Sequence, residues 1–133
     1  MKVVVDTNVF ISAIFFGGKP LELLEFWNNG RIELVTSEPI IEEIVRIFEE
    51  FKMPEDDIFE WIELLSTQTI FTKPKTKIRI CRDPKDNKFL EAAADTKAHY
   101  IATGDKDLLK LKTYGITKIM KPSDFLKKLK GKK

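Results

Sequence analysis

Four carboxylates stand where an acid is either costly or well placed to meet a ligand. Asp6 directly follows the β-branched run Val3-Val4-Val5, and Asp105 follows the apolar stretch at 100–103 with only Gly104 between. Ligands of open α/β sheets gather beyond the carboxyl ends of the strands, so acids placed there come first. On a helix, Glu43 has Ile40, Ile44 and Ile47 at i−3, i+1 and i+4 and Phe51 one turn further on, so it shares an apolar stripe. Glu42 instead lies beside Glu38, Arg46 and Glu49, a polar face. Asp86 repeats the Glu43 pattern, with Phe89, Leu90 and Ala93 at i+3, i+4 and i+7. Three of the four have a plain structural explanation when taken alone: Asp6 and Asp105 as helix N-caps, Asp86 as a first-turn acid that favours the helix dipole. Taken together they favour a metal site, because a carboxylate aimed at a core is costly unless paired, protonated or bound to a cation.

The chemistry available to such a set is narrow. The chain has one histidine, His99, and one cysteine, Cys81, so disulfide frameworks, His/Cys zinc sites and a Ser/His/Asp triad lack their parts. Four carboxylates suit a hard cation, Mg²⁺ or Mn²⁺. Without one, two carboxylates about 4 Å apart repel by roughly 4 kcal/mol at an effective dielectric near 20.

The elements that must position these acids alternate between strand and helix. Strand character runs over 2–5, and helical spacing over 10–16 stops at Gly17 and Gly18. Pro20 opens a helix carrying Leu21, Leu24 and Trp27 and closing at Asn28-Asn29-Gly30. A strand at 32–35 is followed by a helix begun by Ser37 and Pro39, with Ile41, Ile44, Val45 and Phe48 on one side. A further helix covers 55–65, a strand 69–72 and a basic connection 73–82. Asp83 and Pro84 then stand as N-cap and first residue of a helix over 85–97. Strands at 100–103 and 118–120 and a helix over 122–130 complete the chain. This order predicts an α/β fold of three layers, α/β/α, around a central parallel sheet of about five strands.

A length of 133 residues leaves room for one domain, 1–133, with the lysine-rich stretch 127–133 expected as a frayed tail. No stretch is long and apolar enough to span a bilayer and no secretory signal is present, so a cytoplasmic location is expected. The formal charge of +2 conceals a division. Residues 22–63 hold 13 acids against three bases, a net −10; residues 73–133 hold 18 bases against seven acids, a net +11. Such asymmetry is a hint of nucleic-acid contact. Lys73, Lys75, Lys77, Arg79 and Arg82 could present several bases on one side of an extended segment, and Lys85 and Lys106 lie nearer the acids in sequence. His99 precedes the strand at 100–103 and reads as structural; Cys81 reads as an inert thiol or small buried residue.

Four segments resemble the PIN-domain ribonucleases, in particular the VapC-like toxin components of prokaryotic toxin and antitoxin pairs. They are Val4-Val5-Asp6-Thr7-Asn8-Val9-Phe10, the helix start at 37–44, Asp83-Pro84-Lys85-Asp86 leading into 89–94, and Ile101-Ala102-Thr103-Gly104-Asp105-Lys106-Asp107-Leu108. The resemblance covers essentially the whole chain. It implies that Asp6, Glu43, Asp86 and Asp105 are the acidic quartet that holds Mg²⁺ or Mn²⁺, with Thr7, Asn8 and Thr103 as supporting polar residues. Asp83 and Asp107 are weaker members of that supporting set, since capping and a first helical turn explain them. The implied activity is metal-dependent endonucleolytic hydrolysis of single-stranded RNA, leaving 5′-phosphate and 3′-hydroxyl ends, by the toxin of a toxin-antitoxin pair. Implied partners are the RNA, an antitoxin protein and a second copy in a homodimer or higher homo-oligomer, with no membrane. Exposed apolar residues on the helices after Pro20 and Glu55 point to the same self-association. The alternatives are a structure-specific DNA nuclease of the same fold and a non-catalytic RNA-binding or partner-binding module.

Overall fold

The computed structural model describes residues 1–131. β1 (Lys2–Val5) runs into α1 (Thr7–Phe16) and α2 (Gly18–Asn28), and β2 (Glu33–Ser37) into α3 (Glu38–Glu50) and α4 (Glu55–Thr67). β3 (Ile70–Thr72) is followed by an irregular basic segment, a single 3-10 turn (Pro84–Asp86) and α5 (Asn87–Thr96). β4 (Tyr100–Ala102), α6 (Lys106–Leu111), β5 (Thr113–Tyr114), β6 (Thr117–Met120) and α7 (Pro122–Gly131) complete the described chain.

The sheet order is β3-β2-β1-β4-β6-β5. β3, β2, β1, β4 and β6 are parallel, and β5 pairs antiparallel with β6. The sheet is therefore mixed and six-stranded, where a parallel sheet of about five was expected. The missed strand is two residues long and turns back through Gly115, whose φ of +60° suits the first position of a tight two-residue hairpin loop. The chain steps outward from β1 to β2 to β3, then returns to place β4 on the other side of β1. That reversal is a topological switch point, and Asp6 and Asp105 leave the sheet on its two sides.

Helices flank the sheet. α5 lies across β1, β2, β3 and β4, while α1 packs on α2 and α3, and α2 on α7. Ala92 and Ala93 of α5 are fully buried, small enough to let the helix approach the strands closely. Phe10, Phe48, Phe89 and Phe125 are among the largest fully buried side chains, and truncating one to Ala would cost about 3–5 kcal/mol. Trp61 meets Phe10 edge-on at 5.5 Å and lies 6.1 Å from Phe48. This core fixes the strand ends from which the acids project.

Several boundaries differ from the sequence reading: α2 opens at Gly18 rather than Pro20, β2 covers Glu33–Ser37 rather than 32–35, and the helix expected over 85–97 is a 3-10 turn, Pro84–Asp86, followed by α5 from Asn87. α1 begins at Thr7 rather than 10, because the Asp6 side chain accepts from the Asn8 N–H and caps it. The tail expected to fray from 127 instead continues α7 as far as Gly131, held by the buried Leu129; residues 132 and 133 lie outside the described residues. Among the described residues no helix is long and apolar enough to cross a membrane.

Candidate active site

Asp6 is 5% exposed at the carboxyl end of β1. Its Oδ1 accepts from the Asn8 N–H at 3.1 Å and its Oδ2 from the Thr103 hydroxyl at 2.6 Å. Burial raises its carboxyl above the ordinary value of 3.8; those two hydrogen bonds oppose the rise, and the charges of Glu43 and Asp105 add to it. Thr103, fully buried, also accepts from the Asp105 N–H at 3.0 Å, so one hydroxyl locks together the two strand-end acids. Asp105 caps α6 through Oδ2, which accepts from the Leu108 N–H at 3.2 Å. For both strand-end acids the capping and site roles coincide, because a cap engages only some of a carboxylate's lone pairs.

Asp86 differs. It occupies the N-cap position of α5 but makes no capping hydrogen bond; Asp83 caps the preceding turn instead, accepting from the Lys85 N–H at 3.0 Å. Partial burial, the Asp105 charge and a carboxyl-to-carboxyl hydrogen bond with Asp105 push Asp86 up to about 7 from 3.8, with Asp6 and Asp83 contributing. Burial and like charge both raise a carboxyl that lies near others without a cation. The same cluster reaches Cys81, whose thiol is pushed up to about 11 by burial and then by Asp86, Asp105, Asp107 and Asp83. At neutral pH it is a thiol, not a nucleophile.

Glu43 is mostly buried on α3, its side chain 18% exposed, while Glu42 is exposed. Its apolar neighbours Ile40 and Ile44 are buried, but Phe51 lies past the helix end and is exposed. Glu43 does not join the aspartates directly. Its Oε2 is held by Lys88 Nζ at 3.0 Å, with Arg46 Nη2 at 3.8 Å. Lys88, whose side chain is 12% exposed, also donates to the Lys85 carbonyl and lies 5.0 Å from the centre of the Phe89 ring. Sequence reasoning missed this lysine. Arg46 left a signal, one turn after Glu43 at i+3; Lys88 left none, because α3 and α5 meet only in the folded chain.

The remaining candidates separate by position. The Thr7 hydroxyl is buried with no protein partner, as is that of Ser37, which ends the neighbouring β2 and was read from sequence only as a helix start. Asn8 is exposed and lines a cavity of about 400 Å³ with Asp6 and Asp105. Asp107 lies in the first turn of α6. Lys77, Arg79 and Lys85 line a second cavity, of about 770 Å³, between α3 and α5. Lys73, Lys75, Arg82 and Lys106 are exposed and outside both cavities. His99 stands at the amino end of the sheet, its Nδ1 accepting from the Lys2 N–H at 3.0 Å.

The sequence pattern of the PIN domain matches residues 2–107, spanning every acid described above. The chain belongs to the PIN domain family. An uncharacterized protein of Methanocaldococcus jannaschii is 36% identical over 118 residues, covering 84% of this chain and 76% of that protein. Membership gives this PIN domain a nuclease-type, hydrolytic function, in a family that generally uses divalent metal ions.

The site can be tested for such an ion on its own atoms. Among the described residues, no three Asp, Glu, His or Cys side chains are already gathered as a coordination shell. The donor set nevertheless fits a hard cation: three aspartates at one switch point, an Asp86 carboxyl not engaged in capping, and a buried Thr7 hydroxyl without a partner. Asp6, Asp86 and Asp105 are the residues that would hold it.

Proposed function

We propose that this PIN domain is an Mg²⁺- or Mn²⁺-dependent endoribonuclease acting on single-stranded RNA. The observation that carries the reading is the convergence of Asp6, Asp86 and Asp105 at the switch point, where Thr103 ties Asp6 to Asp105 and partial burial, with the Asp105 charge, pushes Asp86 up to about 7. Such a gathering of acids is tolerated in a fold when the group it serves is a cation and the chemistry is phosphoryl transfer. The bound ion would supply charge neutralisation at the phosphate and an activated water.

The chain's own residues would do the rest. Thr103 fixes the Asp6 and Asp105 carboxylates relative to each other. Asp105 or Asp86, with an oxygen not engaged in capping, would orient the attacking water and take up its proton. Glu43 would complete the donor set from α3, with Lys88 and Arg46 holding it near the site in the meantime. Hydrolysis would leave a 5′-phosphate and a 3′-hydroxyl, with no covalent bond to the protein.

The test is cleavage of single-stranded RNA, and in parallel single-stranded DNA, by purified protein in Mn²⁺ or Mg²⁺. Loss of cleavage with chelator and in Asp6→Asn supports the reading; equal cleavage with chelator overturns it, and preference for DNA moves the substrate. Glu42→Gln should retain most activity, whereas Glu43→Gln should lose it.

The toxin role and the partners belong to the same proposal. Leu21 on α2 and Phe59 and Leu64 on α4 are exposed apolar side chains, Phe59 at 58%, and they support a homodimer or a covering antitoxin. Light scattering at micromolar concentration checks the first. Expression with and without the protein encoded by the neighbouring reading frame checks the second, with relief of growth arrest expected.

A further inference from the structure

We propose that the substrate strand is gripped through its phosphates on one side only of the bond to be cut, in the cleft between α3 and α5. The inference rests on the nuclease reading above and adds a direction to it. Two cavities differ in charge: one has Asp6 and Asp105 in its lining, and the other is lined by Lys85 and Asn87, the chain neighbours of Asp86. The one of about 400 Å³, where Pro20 and Pro122 face Asp6 and Asp105, has no cationic residue in its lining. The one of about 770 Å³ is lined by Arg46, Lys77, Arg79, Lys85 and Lys88. Lys88 and Arg46 are occupied with Glu43, so that carboxylate is more than offset within the cleft. Lys77, Arg79 and Lys85 form no salt bridge among the described residues, although Glu42 and Glu91 line the same cavity.

The segment that carries two of these cations is irregular but anchored. Ile78 is buried and its N–H donates to Glu91 Oε2 at 2.9 Å; the Cys81 N–H donates to Asn87 Oδ1 at 3.0 Å; the Thr72 hydroxyl donates to the Asp95 carboxylate. Lys77 and Arg79 therefore emerge on either side of a fixed, inward Ile78. Both cations line the cleft beside it. Cations presented from an anchored backbone lose less freedom on binding than those of a loose loop. A row of unpaired cations leading to a cluster of acids suits a polyanion whose reacting phosphate sits at the acids and whose neighbouring phosphates run along the row. The other cavity offers no such contact, so phosphates beyond the cut are held weakly.

Two measurements test this. The first is binding of a fluorescent single-stranded RNA to the protein in chelator across a salt series. Lys77→Ala/Arg79→Ala should lower the slope of log K against log salt by about 1.4, from about 0.7 per phosphate contact on a single strand. The charge-matched control Lys118→Ala/Lys127→Ala, exposed and remote from the cleft, should leave it unchanged. All four side chains are exposed, and matching melting temperatures confirm that the variants fold. The second is cleavage in Mn²⁺ of RNAs carrying neutral methylphosphonate linkages on one side or the other of the mapped cut. Neutral linkages on one side should slow cleavage severalfold, and on the other hardly at all. Equal slowing on both sides, or an unchanged slope in the cleft variant, overturns the proposal. If the protein binds with the expected slope but cuts no RNA, the nuclease reading fails while the cleft stands.

Discussion

At their amino ends, β1, β4 and β6 are closed by groups that satisfy one another. The Lys2 N–H donates to His99 Nδ1, the His99 N–H to the Lys2 carbonyl at 2.9 Å, the Lys118 N–H to the His99 carbonyl at 3.0 Å, and the buried Thr117 hydroxyl to the Ala98 carbonyl at 2.7 Å. At their carboxyl ends the same strands deliver Asp6 and Asp105, leave the Thr7 hydroxyl without a protein partner, and hold two aspartates above their ordinary range. The scaffold is common to both ends, so the difference is not one of folding competence. Polar conflict persists in a fold where a ligand resolves it, and here it gathers at the carboxyl ends of β1, β2 and β4.

The most severe way to break that comparison is to remove an acid. Asp6→Asn or Asp86→Asn should reduce RNA cleavage to background, while His99→Ala should leave it unchanged. Retained activity in both aspartate variants would place the chemistry elsewhere.

Two buried threonines sharpen the contrast, one at each end of β4 and β6. Thr103→Val strips a charge-assisted hydrogen bond from Asp6 and an acceptor from the Asp105 N–H, costing roughly 1–3 kcal/mol. It should abolish cleavage as well. Thr117→Val leaves only the Ala98 carbonyl unsatisfied, costing about 1 kcal/mol, and should spare activity. Chemical denaturation and a cleavage assay on the two variants read both quantities.

The acid end also predicts an inverted response to pH and metal. Asp86 titrates near 7 in the fold against 3.8 when free. Below about pH 4 both states are protonated and the difference vanishes. Between about 4 and 7 the unfolded chain ionises while the folded one keeps its proton, so metal-free stability falls as pH rises through that window. Partial exposure of Asp86 makes the fall smaller than the full shift would give. Asp86→Asn should melt higher than wild type in chelator at pH 8, with a flatter pH dependence. Mn²⁺ at a hundredfold excess over Kd should stabilise wild type by about 2.7 kcal/mol, and the variant by less. A wild-type melting temperature indifferent to Mn²⁺, with Asp86→Asn no more stable, would dissolve the proposed metal site. The smallest effect belongs to the amino end: His99→Ala should cost at most about 1 kcal/mol and show no response to Mn²⁺ beyond that of wild type.

Much of this was written in local patterns. The β-branched run before Asp6, the Asp83-Pro84 helix start and the apolar stripe beside Glu43 each specify a strand, a cap or a face, because backbone propensity and side-chain periodicity act within a few residues. Those patterns carried the α/β class, most strands and helices, and the acids themselves. They could not show the two-residue β5, too short to leave a period, or the continuation of α7 past 127, which depends on the burial of Leu129. Nor could they show which partner an inward residue meets. Glu43 faces inward by its spacing, but that it meets Lys88, 45 residues away, follows from the packing of α3 against α5. Likewise the rise of Asp86 to about 7 depends on burial and on the Asp105 charge, which the chain brings near only when it folds. Periodicity determines the face of an element; the distances that set charge and proton affinity are decided between elements, by tertiary packing alone.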